Sequence, residues 1–434
     1  MNLADGRGRG LDRPLRVVVV GAGARGAAYA DLVGTVGVPA EVVAIAEPRA
    51  QVRDDVGDRL HLPADARLAS WQDLVDRPRL ADLAIVATQD RDHVDPVVAL
   101  ADLGYDLLVE KPLAPTAEGI AAIVAAADRT GVTVAVCHVM RFTAYTHTLL
   151  DLLATGDLGE VMAVQHLEPI GWEHFAHSFV RGNWRRRDTS SFLLLAKSCH
   201  DLDWLHAVVG DEPVRVSSFG SRGHFRAEHR PDGAADRCVD CEVEPDCPYS
   251  AARLYRRGLD PADASAHYFA RIAVGGIDPT PERVESALRD GPWGRCVYDL
   301  DNDVVDHQVV TIEFARGATV AFTLTAFTPS EGRRTRVFAT HGQVVGDGRH
   351  LEVTDFRSGR MRTIDTHTHG DETAAGGHGG GDAGMVRAVL TALHDGRGEI
   401  PSGLAESLVS HRLAFAGDLA RRESRVVDLA EFAW

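Results

Sequence analysis

The chain has 434 residues, 45% of them hydrophobic and 25% charged, a length that predicts two domains of ordinary globular composition. Its net charge of −17 leaves no surplus of Lys and Arg to neutralise phosphates, which argues against a nucleic-acid or anionic-membrane partner. No uncharged apolar run reaches the roughly 18 residues of a membrane span, and six cysteines are too few for a disulfide scaffold.

Met1–Pro14 is polar and glycine-rich without the apolar centre of a signal peptide, so residues 1–14 are expected as a disordered tail on a cytoplasmic protein. Val17–Val20 then reads as a buried parallel strand running into Gly21-Ala-Gly23-Ala-Arg25-Gly26 and a run of helix formers. In such a strand–turn–helix, Gly21 permits the tight turn, Gly23 lets the backbone approach a pyrophosphate, and Gly26 lets helix and strand pack closely. The helix start presents free N–H groups to the phosphates. A second strand, Glu41–Ala46, ends in Glu47, 21 residues past Gly26, where a carboxylate accepts from ribose hydroxyls and repels a 2′-phosphate. The expected cofactor is NAD rather than NADP, with nearby Arg49 weakening that preference.

Strands and helices continue to alternate: a strand over Leu80–Thr88, a loop carrying His93, a helix over Val94–Leu103, a strand over Tyr105–Val109, and a strand over Val132–Cys137. That pattern predicts an α/β domain with a parallel sheet over residues 15–137. Lys111, within Glu110-Lys111-Pro112, follows an apolar strand at the carboxyl end, where open α/β sheets bind ligands. A cation there stabilises an alkoxide as hydride leaves, although the position equally suits a solvated lysine.

Gly21–Gly26, Thr88 with His93, Glu110-Lys111-Pro112 and Lys197-x-x-His200-Asp201-x-Asp203 together resemble the glucose–fructose oxidoreductase/inositol dehydrogenase (Gfo/Idh/MocA) family. The resemblance implies an N-terminal Rossmann domain and a C-terminal α/β domain with a large, mostly antiparallel open sheet over residues 138–434. It also implies NAD(P) bound by Gly21, Gly23, Arg25, Gly26, Glu47, Thr88, His93, Glu110 and Lys111, with His93 equally suited to capping a loop, and oxidation of sugar or cyclitol hydroxyls. Catalysis would rest on Lys111 and His200, with Lys197 as a second hydroxyl ligand. Many members carry an aspartate four residues before the histidine; here Ala196 stands there, which leaves the proton-transfer roles open.

Between Glu168 and Arg185 lie Trp172, His174, His177, Arg181, Asn183 and Trp184, a mixture suited to a carbohydrate pocket or to a surface loop pinned by tryptophans. Asp201 is added to that substrate set. Residues 225–296 read as an insertion in which Cys238, Cys241, Cys247 and Cys296 predict a structural zinc site or, alternatively, four reduced thiols. From Asp303 successive short strands predict the antiparallel sheet, one face of it available for homo-oligomerisation. His367, His369 and His378 read as a solvated loop, and Met385–His394 and Leu404–Arg421 as closing helices.

The functional expectation is an NAD-dependent dehydrogenase acting on a secondary hydroxyl of a sugar, glycoside or cyclitol. The alternative is a glycoside hydrolase that oxidises C3 transiently, eliminates the leaving group, adds water and reduces the ketone again. Arg25 matches the turn of such relatives.

Overall fold

A computed structural model describes residues 10–367, 379–396 and 400–432. Strand β1 (Leu15–Val20) buries its valines completely because helices cover both faces of its sheet. Beside it lie β2 (Ala40–Ala46), β3 (Arg67–Leu68), β4 (Leu83–Val86), β5 (Asp106–Val109) and β6 (Val134–Val136). The order is β3-β2-β1-β4-β5-β6 and every pairing is parallel, the Rossmann arrangement. The strand order reverses between β1 and β4, so the ligand crevice opens past their carboxyl ends. Residues far beyond Cys137 complete this domain. Met385, Val386, Val389 and Leu390 of the helix Gly381–Asp395 share one core with Tyr29, Val33 and Val19.

The second sheet comprises β7 (Val161–Pro169), β8 (Pro213–Ser221), β9 (His307–Phe314), β10 (Thr319–Thr325), β11 (Arg334–Ala339), β12 (Gly342–Gly346), β13 (His350–Asp355), β14 (Met361–Asp365) and β15 (Val427–Asp428). Its order is β14-β13-β12-β11-β7-β10-β9-β8-β15, with only β7 and β10 parallel. Alternating burial along β9 and β10 turns Val310, Ile312, Val320 and Phe322 inward against the helices Leu193–Val209 and Leu404–Glu423. Gly417 lets the second helix approach: a Cβ there would lie 2.7 Å from Leu194 Cδ2. The other face stays open, with Phe219 (74% exposed) opposite Val309 (42%). Among the described residues no helix is long and apolar enough to cross a membrane.

The insertion between β8 and β9 folds as three helices, Ala251–Arg257, Ala264–Ala273 and Pro281–Arg289, around Tyr255, Phe269, Val284 and Leu288. Its four cysteines line one small cavity of about 20 Å³. Among the described residues, however, no three His, Cys, Asp or Glu side chains are arranged to hold a metal ion. Burial pushes the Cys247 and Cys296 thiols up, favouring the neutral form, and Arg181 Nη2 points at Cys238 Sγ from 3.7 Å. The structure therefore gives the zinc expectation no support: the four cysteines share a packed corner without the arrangement of a metal site among the described residues. His369 and His378 lie outside the described residues.

Burial holds His138, His177, His200, His206 and His411 below the ordinary imidazole value of 6.5, His411 at about 4. Unfolding would let each take a proton as pH falls below 6.5, whereas the folded protein refuses it. Stability is therefore complete above pH 6.5 and declines toward pH 4, each such group contributing up to about 1.4 kcal/mol per pH unit. A melting temperature that is flat above pH 7 and falls steadily from pH 6.5 to 5 is the expected result of a thermal-shift series.

Candidate active site

The glycine turn is built as the sequence demands. Gly21 has φ +85°, and a Cβ on Gly26 would fall 1.8 Å from the Gly21 carbonyl oxygen. The helix Ala24–Val33 starts directly after Gly23, and no side chain among the described residues caps it. Its first-turn N–H groups are thus left for an anion. Glu47, at the end of β2, accepts from the Ala22 N–H at 3.0 Å and from Arg49 Nε at 2.7 Å. Burial opposes its ionisation, but the Arg49 hydrogen bonds prevail and hold the carboxyl below its usual value. Arg49 Nη2 also stands 3.4 Å from where a Gly23 Cβ would be, placing a cation over the turn.

Arg25, expected among the cofactor contacts, is taken up by protein. Its guanidinium donates to Glu110 at 2.7 Å and to Asp382 at 2.5 Å, and also bonds the Tyr29 hydroxyl. It joins the first helix to the end of β5 and to the late helix. Glu110 in turn accepts from the Lys111 backbone N–H at 2.7 Å. His93 is likewise a brace rather than a pocket wall: buried at 1% exposure, its Nδ1 donates to the Pro112 carbonyl at 2.7 Å. Thr88 follows β4, its hydroxyl donating to the Asp92 carbonyl at 3.0 Å.

Lys111 leaves the carboxyl end of β5 and crosses to the second domain, where Nζ donates to the Ala196 carbonyl at 2.6 Å. Ala196 lies one helical turn before His200 on Leu193–Val209, so Lys111, Lys197 and His200 gather at one place. Lys197 Nζ pairs with Glu168 of β7 at 2.9 Å. The sequence reading overlooked Arg333. Its Nη2 reaches His200 Nε2 at 2.8 Å and Glu168 at 2.9 Å, and its Nε bonds Asp201. Arg333 precedes β11, whose antiparallel register places Arg334 beside Leu167 and so sets Arg333 next to Glu168. Only that pairing reveals it. Nothing local in Gly332-Arg333-Arg334 distinguishes it from a turn arginine.

Asp201 is fully buried and is engaged by Arg333 and by His166 at 3.2 Å. It is thus a support for the cluster and not the substrate contact expected. Burial opposes ionisation of both Asp201 and Glu168; Arg333 overrides it in both, helped by His200 at the first and Lys197 at the second, and both stay carboxylates. Burial, with Arg333 and Lys111 nearby, keeps His200 neutral despite the pull of Asp201. A cavity of about 140 Å³ opens beside Arg333, lined in part by Tyr145, His166, Trp204 and Thr335.

The presumed carbohydrate loop divides in three. Trp184 Nε1 donates to Asp90 at 3.1 Å and Asn183 Nδ2 to Gln89 at 3.3 Å, so both clasp the loop after β4 at the domain junction. Trp172 is half-buried against the second-domain core. His174, His177 and Arg181 face away from the cluster into the insertion. His177 stacks on Trp293 at 4.5 Å, His174 lies 5.6 Å from Phe269, and Arg181 donates to the Arg295 and Tyr249 carbonyls at 2.8 and 2.9 Å. These three are corrected from substrate ligands to anchors of the insertion. Their aromatic and cationic character serves packing.

Replacing Arg333 by Met leaves Glu168 and Asp201 short of their shared counter-charge, and a cost of about 3–5 kcal/mol in unfolding free energy is expected. Denaturant titration of R333M against wild type measures it.

Two family models match the chain: an oxidoreductase family, NAD-binding Rossmann fold, over residues 15–138, and the same family's C-terminal alpha/beta domain over residues 151–429. Among curated relatives, the oxidoreductase YteT of Bacillus subtilis (strain 168) is 24% identical over 320 residues, 69% of this chain and 70% of that protein. The 2,7-anhydro-N-acetylneuraminate hydratase of Escherichia coli (strain K12) is 30% identical over 33% of this chain and 37% of its own length. The inositol 2-dehydrogenase of Corynebacterium glutamicum (strain R) is 25% identical over 48% of this chain and 57% of its own. Solved structures agree on the fold. An Agrobacterium radiobacter oxidoreductase in complex with NAD+, L-tartaric acid and magnesium has a TM-score of 0.70 at 16% identity, covering 96% of this chain and 99% of that one. A levoglucosan dehydrogenase complex with NADH and levoglucosan gives 0.69 at 18%, covering 96% and 100%. The chain is an NAD-binding oxidoreductase of the Gfo/Idh/MocA family.

Proposed function

We propose that the protein oxidises a secondary hydroxyl of a sugar, glycoside or cyclitol with NAD. The observation that carries this reading is the Lys111 ammonium at the mouth of the Rossmann crevice, 2.6 Å from the Ala196 carbonyl and grouped with Lys197, His200 and Arg333. The glycine cradle, the uncapped helix start and Glu47 fit a dinucleotide. When bound there, the nicotinamide supplies the hydride acceptor.

The chain's own groups handle the proton and the charge. Lys111 donates to the hydroxyl oxygen and stabilises the alkoxide that develops there. His200 is neutral, and its Nε2 accepts the hydroxyl proton once the substrate displaces Arg333 from it. Asp201, with Oδ2 3.3 Å from that nitrogen, steadies the imidazolium so formed. Lys197, oriented by Glu168, donates to a neighbouring hydroxyl. The names of the inositol and levoglucosan dehydrogenases among the relatives support the substrate class. NAD is the proposed form because a carboxylate at the end of β2, here Glu47, would repel a 2′-phosphate, although its pairing with Arg49 makes the preference modest. The open face carrying Phe219 and Val309 is the proposed homo-oligomer contact.

A redox-neutral reaction with internal re-reduction is the second reading, favoured by the 30% identity to the anhydro-sugar hydratase. Arg25 lends it no weight, since Glu110 and Asp382 occupy its guanidinium. Incubation with sugars, cyclitols and aryl glycosides, following NADH absorbance and product release together, separates the two. Net NADH is expected; product without NADH selects the redox-neutral reading. In the same assay Lys111→Met is expected to lower kcat/KM by about 10²–10³-fold. An undiminished rate would remove the lysine from the mechanism.

A further inference from the structure

The insertion is anchored in the second domain yet touches the first. His177, Arg181 and the Arg257–Glu173 ion pair at 2.8 Å fix one end of it. At the other end Arg49 Nη1 donates to the Gly275 carbonyl at 3.3 Å, and Ile277 packs on the Rossmann core with Val52 nearby. Gly275 and Gly276 have φ of +92° and +94°, a turn that side chains disfavour and that brings the backbone down onto Arg49.

The helix that leads into this turn, Ala264–Ala273, is about 15 Å long at 1.5 Å per residue. Its Tyr268 lies within electrostatic reach of Arg25, Glu110 and Asp382, at the β5 end of the groove, while the turn after it meets Arg49 at the β2 end. The helix therefore runs alongside the crevice from the Lys111 side to the Glu47 side. Tyr268 is 46% exposed although it stands near Arg25, Glu110 and Asp382 of the first domain, as expected of a cleft wall.

We propose that Tyr268 and the Gly275–Gly276 turn form a third wall of the dinucleotide site, closing over the bound cofactor along the groove. The proposal rests on the crevice holding NAD. Its consequence is slow exchange: the cofactor leaves only when the insertion lifts from Arg49, so its release limits turnover. This also gives the packing of His174, His177 and Arg181 a purpose, since a wall supported from one domain must be rigid to press on the other.

Hydrogen exchange on the full chain, with and without saturating NAD+, tests the wall. Slowed exchange is expected over 21–33, which reports cofactor binding, and also over 264–277, which reports the wall. Protection of 21–33 alone overturns the proposal while leaving the cofactor site standing; protection of neither overturns both. In parallel, NAD+ dissociation followed by protein-to-nicotinamide fluorescence is expected to be about tenfold faster or more in Tyr268→Ala, with an unchanged melting temperature. An unchanged dissociation rate in a well-folded Y268A also overturns it.

Discussion

A single ammonium group links the two halves of this molecule at the place where chemistry is proposed. Lys111 issues from a parallel strand of the first domain and rests on a carbonyl of the second domain's central helix. Its aim is fixed residue by residue. The Lys111 N–H is held by Glu110, the Pro112 carbonyl by His93, and the Leu113 N–H by His411 Nε2 at 3.0 Å. His411 Nδ1 donates to the Ser407 carbonyl, which leaves Nε2 as the acceptor and requires a neutral ring. Three consecutive residues held from three directions make a rigid mount for one flexible side chain. Pre-organisation of this kind is what transition-state stabilisation requires.

Beneath the lysine lies a buried charge cluster that a protein selected for stability alone would avoid. Glu168 and Asp201 are almost wholly buried, and burying carboxylates costs several kcal/mol each before their partners compensate. Lys197 and Arg333 provide that compensation while keeping part of their own surface toward solvent. Asp203, two residues on, is by contrast matched to Arg141 at 2.6 and 2.9 Å and pins the turn Val139–Phe142 to the central helix. Along one helix, then, adjacent polar positions divide between holding the fold and presenting charge to the crevice.

Much of this was readable from the residues. Val17–Gly26 and Glu47 stand out because a β-branched run and a glycine spacing followed by a strand-end carboxylate have few structural solutions, whereas Lys111 stands out only through the family resemblance. Strands β8 and β14 escaped notice: the first carries Pro213, serines and Gly220, and the second is an exposed edge with no apolar alternation. Arg333 was illegible for a different reason. It acquires its role only through antiparallel pairing with a strand more than 160 residues earlier, and no local pattern encodes that partner. The aromatic loop was misread because tryptophan, histidine and arginine suit a sugar pocket and a packed interface equally, so their destination depended on the insertion.

The account stands or falls on where a substrate oxygen sits relative to Lys111. A crystal structure of the ternary complex with NAD+ and a polyol identified in the activity screen is the direct measurement. The expected density places the reacting hydroxyl about 2.6–3.2 Å from Lys111 Nζ and beside His200 Nε2, with Arg333 withdrawn from that nitrogen. A ligand bound elsewhere, with Lys111 still on the Ala196 carbonyl and Arg333 still on His200, would contradict it.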